Sequence, residues 1–104
     1  MHHWIFYECG ATYETEFLKS NTAPPEPGPC EEPLSSKSYN PKWREVRRHC
    51  SRATLGWAIG GDVVLDFPEN LGYPVGGKEF DLKYIMLEIH YDNPEVRNGI
   101  FKLI

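Results

Sequence analysis

No stretch of this chain approaches the ~18–20 consecutive apolar residues of a membrane-spanning helix. Basic surplus is absent too. Lys and Arg number 11 against 15 Asp and Glu, a formal net charge of −4, so the positive footprint of a nucleic-acid or anionic-membrane binder is missing. No Cys-x-x-Cys occurs, which removes a thiolate zinc site of the usual spacing. Gly60-Gly61-Asp62 is followed by neither Gly-Lys-Ser/Thr nor a Gly-x-Gly-x-x-Gly run, so it reads as turn chemistry and not as a phosphate cradle. Ser35, Ser36, Ser38 and Ser51 sit in loop sequence without a nucleophile elbow, which disfavours a serine hydrolase. There are no internal repeats and no Asn-x-Ser/Thr sequon. The opening Met1-His2-His3-Trp4 shows neither the basic n-region nor the cleavage pattern of a secretory signal.

What is present describes one loop-rich domain at most. The 104 residues are 40% hydrophobic, an ordinary globular level, and nine Gly with nine Pro favour a β protein over a helical bundle. Trp4-Ile5-Phe6-Tyr7 has the aromatic, β-branched character of a strand, and a chain opening in mid-strand suggests sequence upstream. Residues 20–41 hold Pro24, Pro25, Pro27, Pro29, Pro33 and Pro41. Proline lacks the amide donor and fixes φ, so this stretch reads as a surface connection. Residues 42–49 suit a short helix whose Arg44, Arg47 and Arg48 read as a solvated face.

Thr54 to Ile59 reads as a second strand, and Lys83 to Tyr91 as the clearest one. In the latter, Ile85, Leu87, Ile89 and Tyr91 make one apolar face. Tyr84, Met86, Glu88 and His90 make the other, and Asp92-Asn93-Pro94 closes the strand. The tail Ile100 to Ile104 has strand character but is brief. The expectation is an all-β, antiparallel sandwich with a thin core, a piece of a larger domain.

Three cysteines, Cys9, Cys30 and Cys50, leave two readings open. They are three reduced thiols, or a disulfide plus a cysteine whose partner lies outside this chain. Four histidines offer metal chemistry: His2, His3, His49 and His90. The adjacent pair can share an ion only where the backbone is irregular, because neighbours in a regular strand point to opposite faces. A surface pair and a hydrogen-bonded strand histidine are the plainer alternatives. A free Met1 amine would also make an Xxx-Xxx-His terminus able to wrap Cu(II) or Ni(II) in square-planar nitrogen geometry. Glu88 shares a face with His90 and is a candidate to orient its ring, or is simply solvated. His49 has no evident role.

Several of these segments together resemble a known family. His2-His3-Trp4-Ile5-Phe6-Tyr7-Glu8-Cys9 is similar to the His-His-x-x-x-x-x-Cys segment of the ascorbate-dependent type II copper monooxygenases, the family of dopamine β-hydroxylase, tyramine β-hydroxylase and their monooxygenase-like relatives. Trp57-Ala58-Ile59-Gly60-Gly61, Phe67-Pro68, Gly72 and Leu87-Glu88-Ile89-His90-Tyr91-Asp92-Asn93-Pro94 look like that family as well. The resemblance runs from His2 to about Gly99 and implies the latter part of the family's N-terminal copper domain, a jelly-roll-like β-sandwich.

By that resemblance His2, His3 and His90 match the three histidine ligands of the family's electron-transfer copper, which takes electrons from ascorbate and passes them to a second, oxygen-activating copper. Three neutral imidazoles bind Cu(I) and Cu(II) without adding charge, and protons compete with such a site below roughly pH 6. Cys9 matches a cysteine that pairs with the one at Cys50, closing a loop worth roughly 4 kcal/mol. Cys30 matches a cysteine whose family partner lies upstream of Met1. The family's second copper uses a His-x-His pair and a later methionine, and nothing after His90 supplies either. The implied function is a fragment of a monooxygenase with copper as its metal, ascorbate as reductant, and a small-molecule substrate in the parent enzyme of the secretory pathway. This fragment is expected not to hydroxylate by itself. The alternative is a non-catalytic copper- or zinc-binding or interaction module.

Overall fold

The computed structural model describes residues 2–21, 23–30, 40–62, 64, 66–80, 82–92 and 94–95. Three strands, β1 (His3–Glu8), β2 (Arg52–Ala58) and β3 (Ile85–His90), form one antiparallel sheet in the order β2-β1-β3. Between β1 and β2 lie a π-helical turn (Tyr13–Phe17), which runs into one α-helical turn, α1 (Leu18–Ser20), and the helix α2 (Lys42–His49). No helix among the described residues is long and apolar enough to cross a membrane. The expected tail Ile100 to Ile104, and residues 31–39 of the proline-rich connection, lie outside the described residues.

Strand chemistry places the sheet where the sequence puts it. Residues paired across antiparallel strands share a face. His3 pairs with His90, Ile5 with Glu88 and Tyr7 with Met86, so these six side chains lie on one face. The opposite face takes Trp4 with Ile89, Phe6 with Leu87, and Trp57 and Leu55 from β2. A register shift between Phe6 and Tyr7 bends the β1–β2 pairing. Beyond β2 the chain turns at Gly60, whose φ of 92° suits glycine best.

Helix α2 follows Pro41, which stands at its N-cap with φ −61°. Glu45 sits in its first turn and Arg47, Arg48 and His49 in its last, as the helix dipole prefers. Trp43, Val46 and Cys50 recur at i, i+3 and i+7 and turn one side towards the sheet. The core is the cluster of Cys9, Tyr13, Phe17, Val46, Cys50 and Met86, with Tyr7, Leu18 and Trp43 packed on it. A Cys9–Cys50 disulfide joins the end of β1 to the end of α2. It resolves the open cysteine reading for these two residues.

The core therefore lies between the helices and one face of the sheet, the face of Tyr7 and Met86. On β3 this inverts the apparent polarity of the sequence. The all-apolar side is the open one, with Ile85 53% and Leu87 48% exposed, while Met86 is buried. Among the described residues no second sheet covers that open face. The arrangement is in keeping with an incomplete all-β domain.

Candidate metal centre

Two strands and a strand end bring three imidazoles together. His3 and His90 are direct cross-strand partners at the terminus of the sheet. Nε2 of His3 lies 2.6 Å from Nδ1 of His90, and the ring centroids are 4.5 Å apart. His2 stands just before β1 begins, and its side chain turns to the same place: its Nδ1 is 2.9 Å from Nδ1 of His3. His2 itself lies outside the bounds of β1. His2 is nonetheless fixed. Its amide donates to the His90 carbonyl at 2.8 Å, and its carbonyl accepts from the Ile59 amide at 3.2 Å.

Those backbone bonds bear on the Xxx-Xxx-His alternative. Square-planar chelation by the terminus would take the His2 amide nitrogen as a ligand, and in the folded chain that nitrogen is donating to His90. Met1 itself lies outside the described residues. Three neutral imidazoles are a donor set suited to copper; here His3 meets His2 through Nδ1 and His90 through Nε2, so holding one ion between all three asks the rings to reorient.

Glu88 lies beside this cluster. Its Oε1 is 3.6 Å from Nδ1 of His90, and its Oε2 accepts from Nη2 of Arg47 at 3.4 Å. The same Arg47 nitrogen donates to the Cys30 carbonyl at 2.5 Å. Arg47 is thus half-buried and engaged, while Arg44 and Arg48 are exposed. The expected solvated arginine face holds for two of its three members. Among the described residues, Cys30, Glu88 and His90 present potential ligand atoms within 4.8 Å of one another. Cys30 takes no part in the Cys9–Cys50 bridge.

Comparison with known proteins places this chain in a family. The sequence model of the family described as "Copper type II ascorbate-dependent monooxygenase, N-terminal domain" matches residues 1–98. The chain belongs to this family. It is 27% identical over 100 residues to DBH-like monooxygenase protein 1 of Mus musculus, covering 96% of this chain and 14% of that protein. It is 36% identical over 69 residues to tyramine beta-hydroxylase of Caenorhabditis briggsae, covering 66% of the chain and 12% of the relative. Against dopamine beta-hydroxylase of Bos taurus it is 28% identical over 99 residues, covering 95% and 13%. The chain therefore spans about a seventh of the length of the curated relatives it matches. No solved structure matches it.

His49 accepts or donates at Nδ1 with Thr12 Oγ1, 2.8 Å away, and its carbonyl takes the Gly10 amide at 2.8 Å. It is a brace between α2 and the π-helical turn, distant in role from the other histidines. Tyr13 stacks on Phe17 at 5.1 Å and lies 5.2 Å from the Tyr84 ring. Burial first, and then the neighbouring Tyr84, push the Tyr13 hydroxyl above its ordinary value of 10.0. Arg47 escaped sequence reasoning because its partners, Cys30 and Glu88, lie 17 and 41 residues away.

Proposed function

We propose that this chain carries the electron-transfer half of an ascorbate-dependent copper monooxygenase, with His2, His3 and His90 as the copper ligands. The observation that supports the reading is the cross-strand pairing of His3 with His90 at 2.6 Å, joined by His2 at 2.9 Å from His3. Copper bound there would supply one-electron redox chemistry. The residues of the chain do the rest. β1 and β3 hold two imidazoles opposite each other, and the backbone bonds of His2 hold the third. All three ligands are neutral, so a change of oxidation state asks little rearrangement of the protein.

The oxygen-activating copper, the substrate pocket and hydroxylation belong to sequence beyond this segment. No histidine follows His90 in the chain. Alone, the 104 residues bind copper and exchange electrons with ascorbate but do not hydroxylate. The parent protein works in the secretory pathway on a small-molecule substrate, a reading supported by the relatives' names and by the Cys9–Cys50 bridge, which needs an oxidising compartment.

Copper titration followed by ascorbate tests this. One Cu(II) per chain should bind, its spectrum should bleach on adding ascorbate, and His90→Ala should weaken binding at least tenfold. Unchanged copper binding in His90→Ala would transfer the site to the chain terminus and end the proposal. Binding that favours zinc, with no ascorbate response, would support the non-catalytic module instead.

A further inference from the structure

We infer that Arg47 is a positioning residue for the histidine centre, acting through Glu88. The inference rests on the three-histidine reading above and deepens it. Nη2 of Arg47 makes two bonds at once, to the Cys30 carbonyl at 2.5 Å and to Oε2 of Glu88 at 3.4 Å. That leaves Oε1 of Glu88 facing Nδ1 of His90 at 3.6 Å. The two carboxylate oxygens are thus divided, one to the guanidinium and one towards the imidazole. The Glu88 side chain is only 14% exposed, so water does little of this work.

The guanidinium is itself held in place. α2 is fixed by buried Val46 and by the Cys50 bridge to Cys9, at the end of the strand that starts with His3. Trp43, one turn before Arg47, donates from Nε1 to the Glu26 carbonyl at 3.1 Å. This bond and that of Arg47 to the Cys30 carbonyl tie the Glu26–Cys30 stretch to α2. A lysine ammonium offers a point charge on a flexible stem, whereas the planar guanidinium is built to hold two acceptors in fixed directions.

The chemical consequence concerns charge. A carboxylate beside a copper ligand adds negative charge, which favours Cu(II) over Cu(I), and a loosened one competes as an oxygen ligand. Arg47 neutralises Glu88 and fixes its Oε2, which leaves only Oε1 beside His90 and tempers the pull of the carboxylate towards Cu(II). Outer groups of this kind typically alter metal affinity by about 10–100-fold.

The test uses the full-length protein with Arg47→Ala and Arg47→Lys, each with Glu88 intact and with Glu88→Gln. Chelator competition gives the affinities for Cu(II) and Cu(I), and ring ¹⁵N shifts of His90 are read without metal. Arg47→Ala should raise the ratio of Cu(II) to Cu(I) affinity about tenfold. It should also move the metal-free His90 ring shifts, and both effects should vanish in the Glu88→Gln background. Arg47→Lys should give a smaller change of the same sign, and it decides the matter if Arg47→Ala does not fold. Unmoved ratio and shifts in a folded Arg47 variant would overturn the inference, as would effects that persist in Glu88→Gln. Loss of the three-histidine reading looks different: the unsubstituted protein would then bind no copper dependent on His90, whatever the ring shifts report.

Discussion

The geometry of three imidazoles depends on a single residue-level fact, that His3 and His90 are paired across two strands. Side-chain alternation alone would send His2 away from them, yet its Nδ1 stands 2.9 Å from Nδ1 of His3. Tyr13 offers a separate check at this scale. Its folded-state value is raised above 10.0 by burial and then by Tyr84. The folded chain therefore holds the phenol proton more tightly than the unfolded one does. The stabilisation is intact below pH 10 and is lost as pH rises from there through the folded value. Alkaline unfolding followed by circular dichroism should show this loss, and Tyr13→Phe should flatten it. An unchanged alkaline limb in Tyr13→Phe would contradict the assignment. The placement of the histidine pair, His90 and the acid beside it on or next to β1 and β3 was legible in the sequence, since each sits in a motif or on an alternating strand. Arg47 and the brace made by His49 were not, because their meaning comes from partners far along the chain.

At the scale of elements, the disulfide organises the sheet and its helices. Cys9 follows β1 and Cys50 follows α2, and both are almost fully buried at 4% and 1% exposure. The bridge spans a sequence separation of 41, for which the chain-entropy estimate is about 4 kcal/mol. Replacing both cysteines by serine should lower unfolding free energy by about that amount or more in urea titration, because buried hydroxyls add a cost. A loss below about 1 kcal/mol would mean that the loop is already closed by other contacts. Strands β1, β2 and β3 and helix α2 could be read from composition and alternation to within a residue or two. The helical turns of residues 11–20 could not, as the only periodic signal there is Tyr13 and Phe17 at i and i+4, rings that stack in the fold.

For the whole molecule, the open face of the sheet is the dominant feature. Ile85, Leu87 and Tyr91 are each about half-exposed, and Trp4, Phe6 and Trp57 lie on the same side. Alternation along β3 identified the two faces correctly but could not say which is covered, because the covering helices come from residues that precede the strand by tens of positions. An apolar face of this kind on the 104-residue chain should promote self-association. Sedimentation equilibrium should show mass rising with concentration, and Leu87→Glu should reverse it. A monodisperse monomer in the unsubstituted chain would show that the face is otherwise protected.

The central claim is that one copper ion is held by His2, His3 and His90. X-ray absorption of the copper-loaded protein tests it most directly, since multiple scattering from imidazole rings counts the histidines at the metal. Three imidazoles are expected in the unsubstituted protein and two in His90→Ala. A spectrum dominated by backbone and terminal nitrogens, and indifferent to His90→Ala, would contradict it.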